Sequence, residues 1–178
     1  MKAITIKPYD PKFPTYFELE KRLISKYLDE ESEIHHIGST AVPGLGGKNV
    51  LDILILTPTK RKALKLIKTL EKIGYSYKEK AGDKYRIFFN KNRIFGKKKV
   101  HIHLHLMWKT YKYHKRHLIF RDYLRKHPEE AKRYYSLKKI WAKKAGNKPE
   151  KYTEMKTKYI KEILRKAKLE KSTRKFNS

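Results

Sequence analysis

The residues most able to do chemistry begin at His36-Ile37-Gly38-Ser39-Thr40-Ala41-Val42-Pro43-Gly44-Leu45-Gly46-Gly47-Lys48, which runs into Asn49-Val50-Leu51-Asp52-Ile53-Leu54-Ile55-Leu56. A turn of small residues lets backbone N–H groups approach a phosphate, and a lysine meets its charge. An aspartate inside an apolar strand is costly unless it is paired or holds a metal. Together these features point to a site for a nucleotide phosphate and a divalent ion. The layout is a Gly38-Ser39 turn, a spacer with Lys48, and the strand acid Asp52.

A second constellation is Val100-His101-Ile102-His103-Leu104-His105-Leu106. In a strand the period of two puts His101, His103 and His105 on one face and the aliphatic residues on the other. Same-face neighbours lie roughly 7 Å apart, so two imidazoles can converge on one ion or phosphate. In Tyr85-Arg86-Ile87-Phe88-Phe89, Arg86 has the planar fork to clamp a phosphate and is equally suited to a surface ion pair. Tyr152, Met155 and Tyr159 share a helical stripe and read as core, with Lys156 beside them. Trp108 and Trp141 read as packing anchors, and His35, His114, His117 and His127 carry no signal of their own.

These side chains need a frame. Residues 2–7 alternate as an edge strand, Pro14–Leu28 shows helical spacing, and Glu33–Ile37 is a short strand before the turn. Val50–Leu56 is a continuous apolar run, as expected of a strand covered on both faces. A helix follows to Ile73, then strands at Tyr75–Lys80, Tyr85–Asn90 and Lys99–Met107, the last two joined by a basic loop with Gly96. Beyond Trp108 the pattern is helical: Lys115–His127, Glu129–Ala145 and Pro149–Lys168. The expected organisation is α+β, a mixed sheet with flanking helices over 1–110, then C-terminal helices over 111–168 and a frayed basic tail over 169–178.

With 46 Lys and Arg against 18 Asp and Glu, the net charge is +28. A lysine-rich composition resembles that of heat-adapted proteins, yet those match lysine with glutamate and this chain does not. The excess points to a polyanion, most simply RNA, met through diffuse phosphate contacts. There is no cysteine, which excludes disulfides and thiolate zinc sites, and no run approaches the roughly 18 to 20 apolar residues of a membrane span. A cytoplasmic protein without membrane partners is expected; the oligomeric state is left open.

The turn, Lys48 and Leu51-Asp52-Ile53 resemble the signature of the GrpB family, placed in the nucleotidyltransferase superfamily. The resemblance continues through His103-Leu104-His105, Phe120-Arg121-Asp122-Tyr123-Leu124-Arg125, His127-Pro128-Glu129-Glu130-Ala131, Tyr152-Thr153-Glu154 and Lys156. It implies a nucleotidyltransferase-like fold, of a kind also found fused to dephospho-CoA kinase. Carried onto this chain, it implies a phosphate turn of Gly38, Ser39 and Thr40 and a metal acid at Asp52. His103 and His105 would line the neighbouring strand. Two departures stand out: Asn49 replaces the family's usual proline, and Leu54 occupies the position of the superfamily's second acid.

The expected function is binding of a nucleoside triphosphate through Gly38, Ser39, Thr40, Lys48, Arg86 and Lys156. Mg²⁺ or Mn²⁺ would be held by Asp52, His103 and His105, and a nucleotidyl group would pass to an acceptor hydroxyl, RNA being the natural acceptor. Two alternatives stand beside it: a non-catalytic nucleotide- or RNA-binding module, suggested by Leu54 and the positive charge, and a metal-assisted phosphoester hydrolase that uses the same residues.

Overall fold

The structure is a computed structural model describing residues 4–176. The first helix, α1 (Phe13–Ser25), has Pro14 in its first turn and buries Phe13, Tyr16, Phe17, Glu20 and Ile24 on one stripe. The short strand β1 (Glu33–Ile37) leads through a 3₁₀ turn at Ser39–Ala41 into β2 (Val50–Thr57). Thr59 caps α2 (Lys60–Lys72) by accepting from the Lys62 N–H at 3.3 Å. Strands β3 (Ser76–Tyr77), β4 (Ile87–Phe95) and β5 (Lys98–Trp108) follow, then helices α3 (Lys115–Lys126), α4 (Pro128–Ala145) and α5 (Pro149–Phe176).

Among the described residues the strands form one mixed five-stranded sheet in the order β1-β2-β5-β4-β3. β2 and β5 run parallel and the other neighbours antiparallel. Because β2 and β5 are internal, their inward residues are fully covered. Leu51, Ile53, Ile55, Val100, Ile102 and Leu104 pack with Phe89, Ile24 and Leu70 in the core beneath α1 and α2. The opposite face presents Asp52, Leu54 and Leu56 from β2 and His101, His103, His105 and Met107 from β5. There Leu54, Leu56, Met107 and Ile37 form a small apolar cluster. A further core of Val42, Leu45, Leu124, Ala131, Tyr134, Tyr159 and Ile163 ties the turn after β1 to α3, α4 and α5.

The α+β organisation expected from the sequence is the one observed. Several elements differ in extent. Residues 4–6 are not a strand, Lys7 makes a single bridge to Gly47, and residues 2 and 3 of the expected edge strand lie outside the described residues. The expected strand at Tyr75–Lys80 shrinks to two residues, because its chain turns into a 3₁₀ segment at Glu79–Ala81. The link between β4 and β5 is not a long loop: both strands run on until a tight turn at Gly96. The last helix continues to Phe176, so 169–176 is helical rather than frayed, and 177–178 lie outside the described residues.

Candidate functional site

The parallel register sets Asp52 beside His103 and Leu54 beside His105. Asp52 Oδ1 lies 3.4 Å from His103 Nδ1 and 3.7 Å from His105 Nε2. Burial alone would push the Asp52 carboxyl up, but the two imidazoles outweigh it and hold the group well below the usual carboxylate range. His105 is 8% exposed and its pKa is lowered by burial, with Asp52 opposing. Behind it Arg86 Nη1 stands 3.4 Å from His105 Nδ1, while Arg86 Nη2 donates to the Ala81 carbonyl at 2.9 Å. The Phe88 ring meets both His103 and His105 edge-on.

The turn after β1 is pressed against this carboxylate. Gly38 has φ +74°, and a Cβ there would run into the Asp52 carboxyl group. Thr40 turns inward instead: it is 3% exposed, its hydroxyl donates to the Val50 carbonyl at 3.1 Å, and it meets His36 Nε2 at 3.0 Å. His36 stacks on Phe17, and burial brings its pKa down to about 4. From α3, Arg121 donates to the His36 carbonyl at 3.0 Å and Arg125 to the Ala41 carbonyl at 2.8 Å, which pins the turn at both ends.

In front of Asp52 is a cavity of about 360 Å³ between the sheet and the C-terminal helices. Its walls include Gly38, Ser39, Lys48, Asp52, His103 and Lys156, six of the residues singled out by the sequence. Thr40, His105 and Arg86 do not line it: Thr40 serves the fold of the turn, His105 is covered beside Asp52, and Arg86 contacts His105. The cavity also recruits Arg116 and His117 from α3, Tyr134 and Lys138 from α4, and Tyr152 from α5. These were missed, although a signal existed. In α4, Ala131, Tyr134, Lys138, Trp141 and Ala145 share one helical face, so Lys138 interrupts an apolar stripe.

Lys138 is 3% exposed, donates to the Gly46 carbonyl and lies 4.6 Å from the centre of the Tyr134 ring. Burial, helped by Lys156, brings its pKa down to about 7. Lys48 stands over Tyr152 at 4.7 Å and is also shifted down, first by burial and then by Lys156. His117 falls to about 4 through burial and the nearby His105 and Arg86. Among the described residues Asp52 is the one carboxylate of the cavity, and Lys48, Lys138, Lys156 and Arg116 have no acidic partner.

That donor set does not fit a metal centre supplied by the protein alone. Leu54, two residues beyond Asp52 on the same face of β2, is fully buried and apolar, and among the described residues no group of three or more His, Asp and Glu side chains is arranged to hold a metal ion. Nor, among the described residues, is any helix long and apolar enough to cross a membrane.

The class defined so far is an α+β protein with a lysine-lined cavity at the junction of its sheet and its helices. Comparison with known proteins places it further. The family model described as GrpB protein matches residues 3–166, and the chain belongs to the GrpB family. It is 36% identical over 166 residues to a UPF0157 protein of Pseudomonas aeruginosa, covering 92% of this chain and 67% of that protein. It is 32% identical over 158 residues to the glutamate-rich protein GrpB of Alkalihalophilus pseudofirmus, covering 83% of this chain and 86% of that one. The crystal structure of the conserved protein GrpB from Enterococcus faecalis superposes with a TM-score of 0.78 at 33% identity, covering 92% of this chain and 96% of that chain.

Proposed function

We propose that the cavity binds a nucleoside triphosphate and transfers its nucleotidyl group to an acceptor hydroxyl. The observation that carries this reading is the surplus of cations around a single carboxylate, walled by a Gly-Ser turn and by aromatic rings. Gly38, Ser39, Lys48 and Lys156 meet the phosphates, and Phe120, Tyr134 and Tyr152 form the aromatic part of the wall against the rest of the ligand. A new O–P bond forms at the α-phosphorus as the bond to pyrophosphate breaks, and the hydroxyl proton passes to His103. Asp52 orients His103 through Nδ1 and stabilises it as the cation. His105 positions Asp52 from the side, and Arg86 holds His105.

Mg²⁺ or Mn²⁺ enters the proposal as a companion of the ligand's own phosphates. RNA is the proposed acceptor in a cytoplasmic setting. On the outer faces of the helices, Lys132, Lys139 and Lys143 of α4 and Lys161, Arg165 and Lys168 of α5 are exposed at helical spacing.

The test is pyrophosphate release from each triphosphate with Mg²⁺, with Mn²⁺ and without either, in the presence of labelled RNA. The reading expects one triphosphate to give pyrophosphate together with an extended RNA, at rates at least a hundredfold lower in Asp52→Asn and His103→Gln. Monophosphate or free phosphate without an RNA adduct would replace transfer by hydrolysis. Triphosphate binding without any product would make the chain a binding module.

A further inference from the structure

Lys138 is a charged side chain on the apolar stripe of α4, yet no acid meets it. Its amine reaches the carbonyl of Gly46 and borders Gly47, where a Cβ would overlap Ser39 Oγ and sit 3.5 Å from Lys138 Nζ. Gly47 therefore keeps an opening between a hydroxyl and an amine. Lys48 from the following residue and Lys156 from α5 line the same cavity. Three lysines thus converge from the turn, α4 and α5. A single carbonyl is a weak reason to bury an ammonium group.

We propose that Lys138, Lys48 and Lys156 form a three-point clamp for a pyrophosphate-like group, with Lys138 leaving the Gly46 carbonyl for the anion. The inference rests on the phosphate-binding reading of the same cavity and adds to it a residue and a proton. The groups facing Lys138 are Asp52 from β2, Lys48 and Ser39 from the turn, Lys156 and Tyr152 from α5, and Tyr134 on its own helix. Burial and Lys156 favour the neutral amine, and the more distant Asp52 opposes them only in part. A bound anion reverses the balance, so binding takes up a proton at pH 8, and affinity rises as pH falls from 9 to 7.

The experiment is titration calorimetry with pyrophosphate at pH 8 in two buffers of different ionisation enthalpy, on wild type, Lys138→Met and Lys138→Arg. Relative to both variants, wild type should take up close to one additional proton. Lys138→Met should bind about tenfold more weakly, and Lys138→Arg, charged throughout, should keep affinity without the extra uptake. Equal uptake in wild type and Lys138→Arg would overturn the proposal, as would no binding of pyrophosphate to wild type. If Lys138→Met does not fold, the arginine variant still decides. Pyrophosphate binding as described, with no triphosphate bound, would sink the nucleotide reading and leave this clamp standing. Triphosphate binding without pyrophosphate binding would do the reverse.

Discussion

Two carboxylates stand on opposite faces of the sheet, and their surroundings differ in kind. Glu20, on α1, is fully buried, accepts from the Tyr75 hydroxyl at 2.6 Å and from Lys91 at 3.4 Å, and is paired with Arg93. Every charge there has its partner inside the fold. Asp52 has two imidazoles beyond 3.3 Å, open space before it, and four cations nearby with no acid of their own. A buried charge met from within is architecture. A group of charges that the fold leaves unmet is where a ligand of opposite sign belongs.

The sharpest way to break this contrast is to remove the paired acid and, against it, an unpaired cation of the cavity. Glu20→Ala strands Lys91 and Arg93 in a covered position and should cost about 3 kcal/mol in denaturant unfolding. A cost near zero would mean that this network is not structural.

Next in size is the pH dependence of stability. His36 and His117 are held near pKa 4 in the fold against about 6.5 when unfolded. Between those values the unfolded chain binds more protons, so stability should fall as pH drops from about 6.5 to 4. His36 alone should contribute on the order of 3 kcal/mol, and unfolding free energies measured across that window should lose part of the slope in His117→Gln.

A smaller effect concerns the backbone beside the site. Among the described residues Asn49 is the one non-glycine residue with positive φ, at 56°. Proline holds φ near −65°, so it cannot adopt this conformation. Asn49→Pro should cost more than about 1 kcal/mol, while Asn49→Gly should lie within a few tenths in the same unfolding assay. Least of all, Lys156→Met, at a cation of the cavity without an acidic partner among the described residues, should change unfolding free energy by less than about 1 kcal/mol, in contrast to Glu20→Ala.

Much of this architecture was legible beforehand, for identifiable reasons. Val50–Leu56 announces an internal strand because both of its faces are apolar, and the alternating histidines declare a face of β5 whatever lies opposite. Gly38, Ser39, Lys48, Asp52 and His103, named from local pattern, and Lys156, named from the family resemblance, do line one cavity. What stayed hidden depends on long-range packing. Thr40 looks like a phosphate hydroxyl until His36 and the Val50 carbonyl claim it. Arg86 and His105 stay out of the cavity wall because Arg86 is held by His105 and the Ala81 carbonyl, and His105 is buried beside Asp52. Lys138, Arg116 and His117 sit on helices whose placement over the sheet no local pattern reveals, and one lysine hardly stands out in a chain with 46 basic residues.

The overall charge needs separate treatment. One relative in the same family is named for its glutamate, whereas this chain carries 18 acids against 46 bases. Charge balance is therefore a poor guide to what the family shares, and the cavity is the better place to look.

The most direct measurement is thermal melting with each nucleoside triphosphate, on wild type and on Lys48→Met/Lys156→Met. A ligand at about 100 times its Kd that binds only the native state adds roughly 2.7 kcal/mol. The account predicts stabilisation of that order in wild type by at least one triphosphate, and its loss in the double variant, which still carries the basic outer faces of α4 and α5. Equal stabilisation of both proteins would show that the phosphates bind the general surface rather than the cavity, and would contradict the account.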